Sequence, residues 1–246
     1  MAAQNIYDNP DFFAGYSQMR RVQGGLNEAM EWPAFKRLLP KSIMGLRVLD
    51  LGCGMGHFAR AAREMGAAEV IGVDVSERML AEARARTNDP AITYHRAEIE
   101  GFDGGDTAFD LVTSSLALHY IADYRGVAVR LARALKPGGR VVFSVEHPVM
   151  TSLAAQAWHR APDGAKLHWP IDNYCEEGPR ATHWFVDGVI KYHRTIETYV
   201  QGLLDAGLVL AGLLEPVPEA EFLGTRPDLV EEYRRPPFML LAADKR

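Results

Sequence analysis

Only two cysteines occur in the 246 residues, Cys53 and Cys175. They make neither a disulfide framework nor a metal-ligand spacing, and read as small buried or incidental residues. Long apolar runs are missing as well. No stretch reaches the roughly 18 residues that a bilayer-spanning helix needs. The opening "MAAQNIYDNP" has no basic segment followed by an apolar one, so no membrane or secretory role is expected and the chain reads as cytoplasmic. Clusters of one charge are also absent. With 27 basic and 32 acidic residues and a formal charge of −5, nucleic acid is not the expected partner. What remains is an ordinary globular composition, 48% hydrophobic and 24% charged, which can bury a substantial core as one domain over residues 1–246 carrying an insertion.

Short apolar runs alternate with segments of helical period. "RVLDLG" (47–52), "EVIGVD" (69–74), "ITYHRAE" (92–98), "FDLVTSS" (109–115) and "RVVFSVEH" (140–147) read as strands. Helices are predicted over 57–65, over 76–87 with Ser76 as cap and Met79, Leu80 and Ala83 on one face, and over about 123–135, closed by "KPGG". That rhythm predicts an α/β fold with a doubly wound, mostly parallel sheet. It breaks after Pro148 and resumes near Thr195, where "TIETYVQGLLDAGL" predicts the last large helix, with Ile196, Tyr199, Val200, Leu203 and Leu204 as its apolar face. "LVLAGLLEP" and "FMLLAAD" complete seven strands. Residues 149–194 therefore read as a small cap inserted over the active-site edge.

In such a sheet the ligand lies beyond the carboxyl ends of the strands, where the first strand meets the first helix. The sequence there is "VLDLGCGMGH" (48–57). Gly52, Gly54 and Gly56 let the backbone turn tightly and approach a ligand, and the following helix offers unpaired N–H groups. A nicotinamide dinucleotide site uses the same place, but its G-x-G-x-x-G spacing would need glycine at 57, where His57 stands. Asp50 precedes the first glycine by two residues; a carboxylate there would oppose a pyrophosphate, yet could accept bonds from a cationic amino group or from loop amides. Asp74 closes the second strand, placed to accept both hydroxyls of a ribose.

Taken in order, "VLDLGCGMGH", "VIGVDVSERML", "AEIEGF", "FDLVTSSLALHYIAD" and "LARALKPGGRVVFSVEHP" resemble the class I S-adenosylmethionine-dependent methyltransferases of the small-molecule type. The likeness covers about residues 46–148 plus the closing helix and strands. It implies a Rossmann-like methyltransferase fold whose last two strands form an antiparallel hairpin. It also implies S-adenosyl-L-methionine as cofactor, S-adenosyl-L-homocysteine as product and a small-molecule acceptor. By the same resemblance, Gly52, Gly54 and Gly56 pass beneath the methionine part, with Asp50 organising the loop. Asp74 and Val75 lie at the ribose and Met79 beside the adenine. Glu98, where the family more often has aspartate, stands near the adenine amine with Ile99 beside the ring. Ser115 and Leu116 line the methionine moiety, and His119 looks toward the methyl group. No Asp/Asn-Pro-Pro-aromatic element follows the fourth strand, so nucleic-acid amines are not the expected acceptors. Two other classes stay open: a cofactor-binding regulatory or catalytically silent protein, and a nicotinamide-dependent oxidoreductase.

The N-terminal residues 1–40 are predicted helical from about Pro10. Their Tyr7, Phe12, Phe13 and Tyr16 resemble the lid that closes over the cofactor in related enzymes, so Tyr16 and Arg20 or Arg21 would meet its carboxylate end; a plain amphipathic helix is the alternative. Trp158, Trp169 and Trp184 of the cap, together with Tyr120, are the candidate substrate contacts, and His193 joins the three tryptophans in building the cap's pocket. "THWFVDGVIKYH" carries Asp187-Gly188 as a two-residue hairpin turn. That turn sets Val186 opposite Val189, Trp184 opposite Lys191 and Thr182 opposite His193 on one face, with His183, Phe185, Ile190 and Tyr192 on the other. A homodimer contact or a packing flap is the competing role for this hairpin. Methyl transfer depends chiefly on alignment. Where the nucleophile carries a proton a base is added, for which His119, His147 and His193 are the candidates. Neutral imidazole is then the working form, and the rate would fall as pH drops through the histidine's own pKa. No metal site is expected.

Overall fold

The structure is a computed structural model that describes residues 4–246, so the first three residues of the predicted lid range lie outside the described residues. Asn9 Oδ1 accepts from the amides of Asp11 and Phe12, and Pro10 takes the first helical position, where its missing N–H costs nothing. Helix α1 (Pro10–Ser17) therefore begins at Pro10. Two short helices follow, α2 (Arg20–Gln23) and α3 (Trp32–Leu38). The predicted alternation then runs through β1 (Arg47–Leu51), α4 (His57–Glu64), β2 (Glu69–Asp74), α5 (Glu77–Ala85), β3 (Ile92–Arg96), β4 (Phe109–Ser115), α6 (Tyr124–Ala134) and β5 (Leu135–Glu146). A cap of α7 (Pro148–Thr151), β6 (His159–Arg160), β7 (Lys166–His168), β8 (Gly178–Trp184) and β9 (Val186–His193) interrupts it. Helix α8 (Ile196–Asp205), β10 (Leu208–Leu214), α9 (Ala220–Thr225) and β11 (Phe238–Lys245) complete the chain.

Seven strands form one sheet in the order β10-β11-β5-β4-β1-β2-β3. The pairings are parallel except that β11 runs antiparallel to both β5 and β10. Alternation along the strands divides the core. Val48, Val70, Leu111, Val142 and Leu240 pack with Trp32, Phe35 and Phe58 of α3 and α4 on one face. Leu49, Val112, Phe143 and Leu241 pack with Tyr124, Leu131, Tyr199 and Leu203 of α6 and α8 on the other. Each such side chain contributes about 1.5–3 kcal/mol by leaving water. The wedge between the ends of β1 and β4 and the helices that follow them holds the candidate site.

Several expectations need correction. Strand β3 ends at Arg96, two residues short of Glu98, and β5 begins at Leu135, because "KPGG" bulges out of a strand whose pairing starts at Phe109↔Leu135. Leu204 is 42% exposed; Tyr199, Gly202 and Leu203 carry the buried face of α8. The cap hairpin turns at Phe185, not at Asp187-Gly188, so Thr182 faces Val189, Arg180 faces Lys191 and Trp184 faces Val186. Phe185 accepts a left-handed backbone, φ 62°, because its ring packs edge-on against Phe12 at 5.7 Å and stacks on Trp184. Up to Thr182 the pairs slide by four residues, an even number, so the faces survive there and Thr182, Val189, Lys191 and His193 are all buried; a register shift between Thr182 and Trp184 makes the last pair slide by five. Finally, residues 215–237 between the last two strands are not a plain connection but fold into α9 and a 3-10 turn over Pro227–Arg234.

Candidate functional site

Between β1 and α4 the glycine loop takes a course that side chains would obstruct. Gly52 and Gly56 both have left-handed backbone, φ 72° and 74°. A Cβ on Gly52 would meet that of Ala117 at 2.3 Å, and one on Gly56 the Tyr94 hydroxyl at 2.2 Å. The loop is tied to the end of β2: the Gly54 amide donates to Asp74 Oδ2 and the Ser76 amide to Oδ1, each at 2.9 Å. Asp74 is 9% exposed. Burial raises its pKa, and these amides pull it back. Two amides use one lone pair on each oxygen, which leaves acceptor capacity for further donors.

A cavity of about 870 Å³ opens over this loop. Its floor carries Gly52, Gly54, Asp74, Met79 and the segment after β4, Ser115 to Ala117, with His119 and Tyr120. Leu116 is held at φ 52° by the Ser144 carbonyl, which accepts its amide at 2.9 Å. Such a backbone costs about 1–3 kcal/mol and turns the chain across the ends of the strands. The walls come from three separate segments. The N-terminal one contributes Tyr7, Tyr16, Arg20, Arg21 and Glu31, the cap contributes Gln156, Trp184 and Lys191, and the connection before β11 contributes Arg226, Glu232 and Arg235. Tyr7 stands edge-on to Tyr16 at 5.0 Å, and Tyr16 edge-on to Trp184 at 6.0 Å, so the first two segments meet over the cavity.

Charges buried here are paired. Glu146, at the end of β5, accepts from Lys191 Nζ at 2.6 Å through Oε1 and from Gln156 Nε2 at 3.0 Å through Oε2, while Gln156 Oε1 accepts from Lys191 Nζ at 3.0 Å. Burial pushes the Glu146 carboxyl up, but His119, Lys191 and the bonds from Lys191 and Gln156 bring it below the ordinary glutamate value. Arg21 donates to Glu31 Oε1 at 2.8 Å, and Glu31 Oε2, buried, has no hydrogen-bond partner. His119 is 2% exposed. The Glu146 amide donates to its Nδ1 at 3.3 Å, so in the neutral ring the proton resides on Nε2. Burial, with the charges of Lys191, Arg194 and Arg21, depresses its pKa to about 4 against the opposing pull of Glu146.

The cavity thus gathers Gly52, Gly54, Asp74, Met79, Ser115, Leu116, Tyr16, Arg20, His119, Tyr120 and Trp184 of the anticipated residues. Others lie elsewhere. Asp50 is buried behind the loop, where its carboxylate accepts from Thr113 Oγ1 at 3.0 Å, and burial raises its pKa to about 7. Val75 and Gly56 are not among the residues that line the cavity, Ile99 packs against the core, and Glu98 is exposed two residues beyond the end of β3. His147 and His193 do not line the cavity. The first accepts the Val149 amide on Nδ1 and pairs with Glu215 at 2.6 Å; the second is bonded on both nitrogens, to Thr151 Oγ1 and the Tyr174 carbonyl, both at 2.8 Å. Trp158 and Trp169 line a separate surface groove, edge-on to each other at 5.4 Å, with Arg235 over the Trp169 ring at 4.4 Å. Sequence reasoning passed over Glu146, Gln156, Lys191, Glu31 and Arg235. Glu146 did carry a signal, a charge closing an apolar strand run as Asp74 does. Among the described residues no cluster of three or more histidine, cysteine or acidic side chains is arranged to hold a metal ion, and no helix is long and apolar enough to cross a membrane.

Comparison with known proteins bears on what this geometry serves. Residues 48–139 match the methyltransferase domain family. An S-adenosylmethionine dependent methyltransferase of Mesorhizobium loti is 44% identical, and its crystal structure superposes with a TM-score of 0.84 over 90% of this chain and 100% of that one. An uncharacterized protein of Haemophilus influenzae is 31% identical over 252 residues, 98% of this chain and 97% of its own. The malonyl-[acyl-carrier protein] O-methyltransferase of Pectobacterium atrosepticum is 35% identical across 54% of this chain, which spans 53% of that relative's length. The chain is therefore a member of the class I S-adenosylmethionine-dependent methyltransferases.

Proposed function

We propose that this enzyme methylates a small-molecule acceptor, in the cytoplasm, and that the acceptor enters beneath the cap. The observation that carries this is the continuity of one cavity from the glycine loop and Asp74 to His119, Trp184 and Lys191. Its volume lies within the range of sites that engulf small ligands, about 300–1,000 Å³. The residues present fit the cofactor. Gly52 and Gly54 would let its methionine part lie on the backbone, Asp74 would accept both ribose hydroxyls, and Met79 would flank the adenine. Arg20 would take the carboxylate, and the unpartnered Oε2 of Glu31 would take the ammonium. When bound, the cofactor supplies a methyl group already activated on a sulfonium, so the chain's own part is to bind, align and exclude water.

Asp74→Ala removes the acceptor for two hydroxyls and should weaken binding of S-adenosylhomocysteine by about 1.5–3 kcal/mol in calorimetry. Unchanged affinity would remove Asp74 from the cofactor site. Incubation with labelled S-adenosylmethionine and a pool of metabolites should label a low-molecular-mass product. Absence of any such product would favour a regulatory, non-catalytic member of the family.

A further inference from the structure

We propose that the methyl acceptor is a carboxylate, taken up already ionised and oriented by hydrogen bonds from Tyr120, His119 and Lys191. The inference rests on the small-molecule reading above and names the substrate class.

It follows from which side chains around the cavity could accept a proton. Six carboxylates reach its wall. Four are engaged by cations: Glu31 by Arg21, Glu146 by Lys191, Asp228 by Arg226 and Glu232 by Arg235. Asp74 accepts two backbone amides, and Glu28 is exposed. Glu31 retains an unpartnered oxygen, which the cofactor's ammonium would use. Of the two histidines in the wall, His183 is exposed and bonded to Asp187 at 2.7 Å, and the neutral ring of His119 carries its proton on Nε2. With Glu31 given to the cofactor's ammonium and Asp74 to its ribose hydroxyls, a nucleophile that had to lose a proton during attack would meet no buried base free to take it.

Donors, by contrast, line the same cavity: Tyr120, His119 and Lys191 all reach its wall. Tyr7 donates its hydroxyl to that of Tyr120 at 3.4 Å, which leaves the Tyr120 proton for another acceptor. Burial raises the pKa of both phenols, so they stay protonated. Lys191 spends two N–H groups on Glu146 and Gln156 and keeps a third, with its ammonium 5.1 Å from the centre of the Trp184 ring. His119 adds Nε2–H. A wall of donors without a base suits an oxygen that is already anionic. Carboxylic acids, with pKa values of about 4, meet that condition at neutral pH, whereas phenols, thiols and amines, at about 8.5–10.4, do not. The reaction then balances without proton transfer. A carboxylate oxygen forms the new bond to the methyl carbon as the carbon–sulfur bond breaks and its electron pair stays on sulfur, giving a methyl ester and a neutral thioether.

Methyl esters are cleaved by mild alkali; methylamines, methyl ethers and C-methyl groups are not. The enzyme is incubated with methyl-labelled S-adenosylmethionine and either a low-molecular-mass metabolite extract or a panel of small mono- and dicarboxylic acids, and the product is treated with alkali. Release of the label as volatile methanol is expected. Alkali-stable label on a small product would overturn the carboxylate assignment and leave the small-molecule reading standing. Label on macromolecules would overturn that reading instead, and no transfer in any arm would overturn both. A readout independent of turnover is 15N NMR of the His119 ring, which should show the neutral, Nε2-protonated tautomer; a ring protonated on Nδ1 would expose a base and overturn the proposal. Lys191→Met should raise the KM for the acceptor by about 10- to 100-fold, the cost of losing a charged donor, while affinity for S-adenosylhomocysteine stays within about two-fold. Equal loss of both would make Lys191 a packing residue.

Discussion

Because the Glu146 amide donates to His119 Nδ1 and burial holds the ring's pKa near 4, the imidazole is neutral across the physiological range and offers a donor rather than a base. A rate that falls through the ordinary histidine range, near 6.5, is therefore not expected; kcat should be flat in pH down to about 5. His119→Gln retains an N–H of similar reach and should keep most of the activity, whereas His119→Ala should lose about 10- to 100-fold, the cost of one donor to a charged group. An acid limb near 6.5 that disappears in both variants would restore the base role. Asp50 yields a different pH effect. Its folded pKa of about 7 lies above the unfolded value, so the native state holds a proton that the unfolded chain has released. Stability is then unpenalised below about pH 4, falls as pH rises from 4 to 7, and levels off above. Asp50→Asn keeps an oxygen for the Thr113 hydroxyl and removes the buried charge. It should raise stability by about 1–4 kcal/mol at pH 8 and flatten that slope, read by denaturant unfolding at both pH values. A destabilised Asn variant would mean that the charge itself holds the loop.

At the scale of elements, the docking of α1 on the cap hairpin joins the two segments over the cavity, beside the pair of bonds between Gln4 and Ile190. Gly15 makes it close: a Cβ there would lie 2.5 Å from the Phe185 ring. Gly15→Val should pry the two apart, lowering kcat about 10-fold through lost alignment while the sheet and its melting temperature change little. Unchanged kcat would show that closure over the cavity does not depend on this contact. The same region shows what sequence can and cannot reveal. Helix α5, with Ser76 accepting the Met79 amide, and strands β1, β2 and β4 were legible because local pattern and burial agree there. The hairpin turn was not, since Asp187-Gly188 is the stronger local signal and only the tertiary contact of Phe185 with Phe12 overrides it. Lys191 sits on the inward face between Val189 and His193, so its burial followed from strand parity but its partner Glu146, 45 residues away, did not. The connection before β11 was missed for a third reason. Its helix and 3-10 turn bury no residue, so no apolar period marks them, although the two residues that flank the turn, Arg226 and Arg235, reach the cavity wall.

For the whole molecule, the consequence is that ligand binding and stability should be tightly linked. The sheet holds only the floor of the cavity, while its walls belong to the N-terminal segment, the cap and the connection before β11; Tyr7 bonds to Tyr120 of the floor and Tyr16 meets Trp184 of the cap. A ligand that touches floor and walls at once binds the native state alone, and at 100 times its Kd it adds about 2.7 kcal/mol to unfolding. For a chain of this size each kcal/mol corresponds to about 2–4 °C, so saturating S-adenosylhomocysteine should raise Tm by about 5–11 °C. A nicotinamide dinucleotide at the same concentration should leave Tm unchanged. Hydrogen exchange adds the spatial test. The backbone of residues 5–28 should gain protection with S-adenosylhomocysteine, because Tyr7, Tyr16 and Arg20 line the same cavity as Asp74 and Gly54; the outer strand β3, which sends no side chain into that wall, should not. A ligand that raised Tm without protecting the N-terminal segment would show that the cofactor is held by the sheet edge alone.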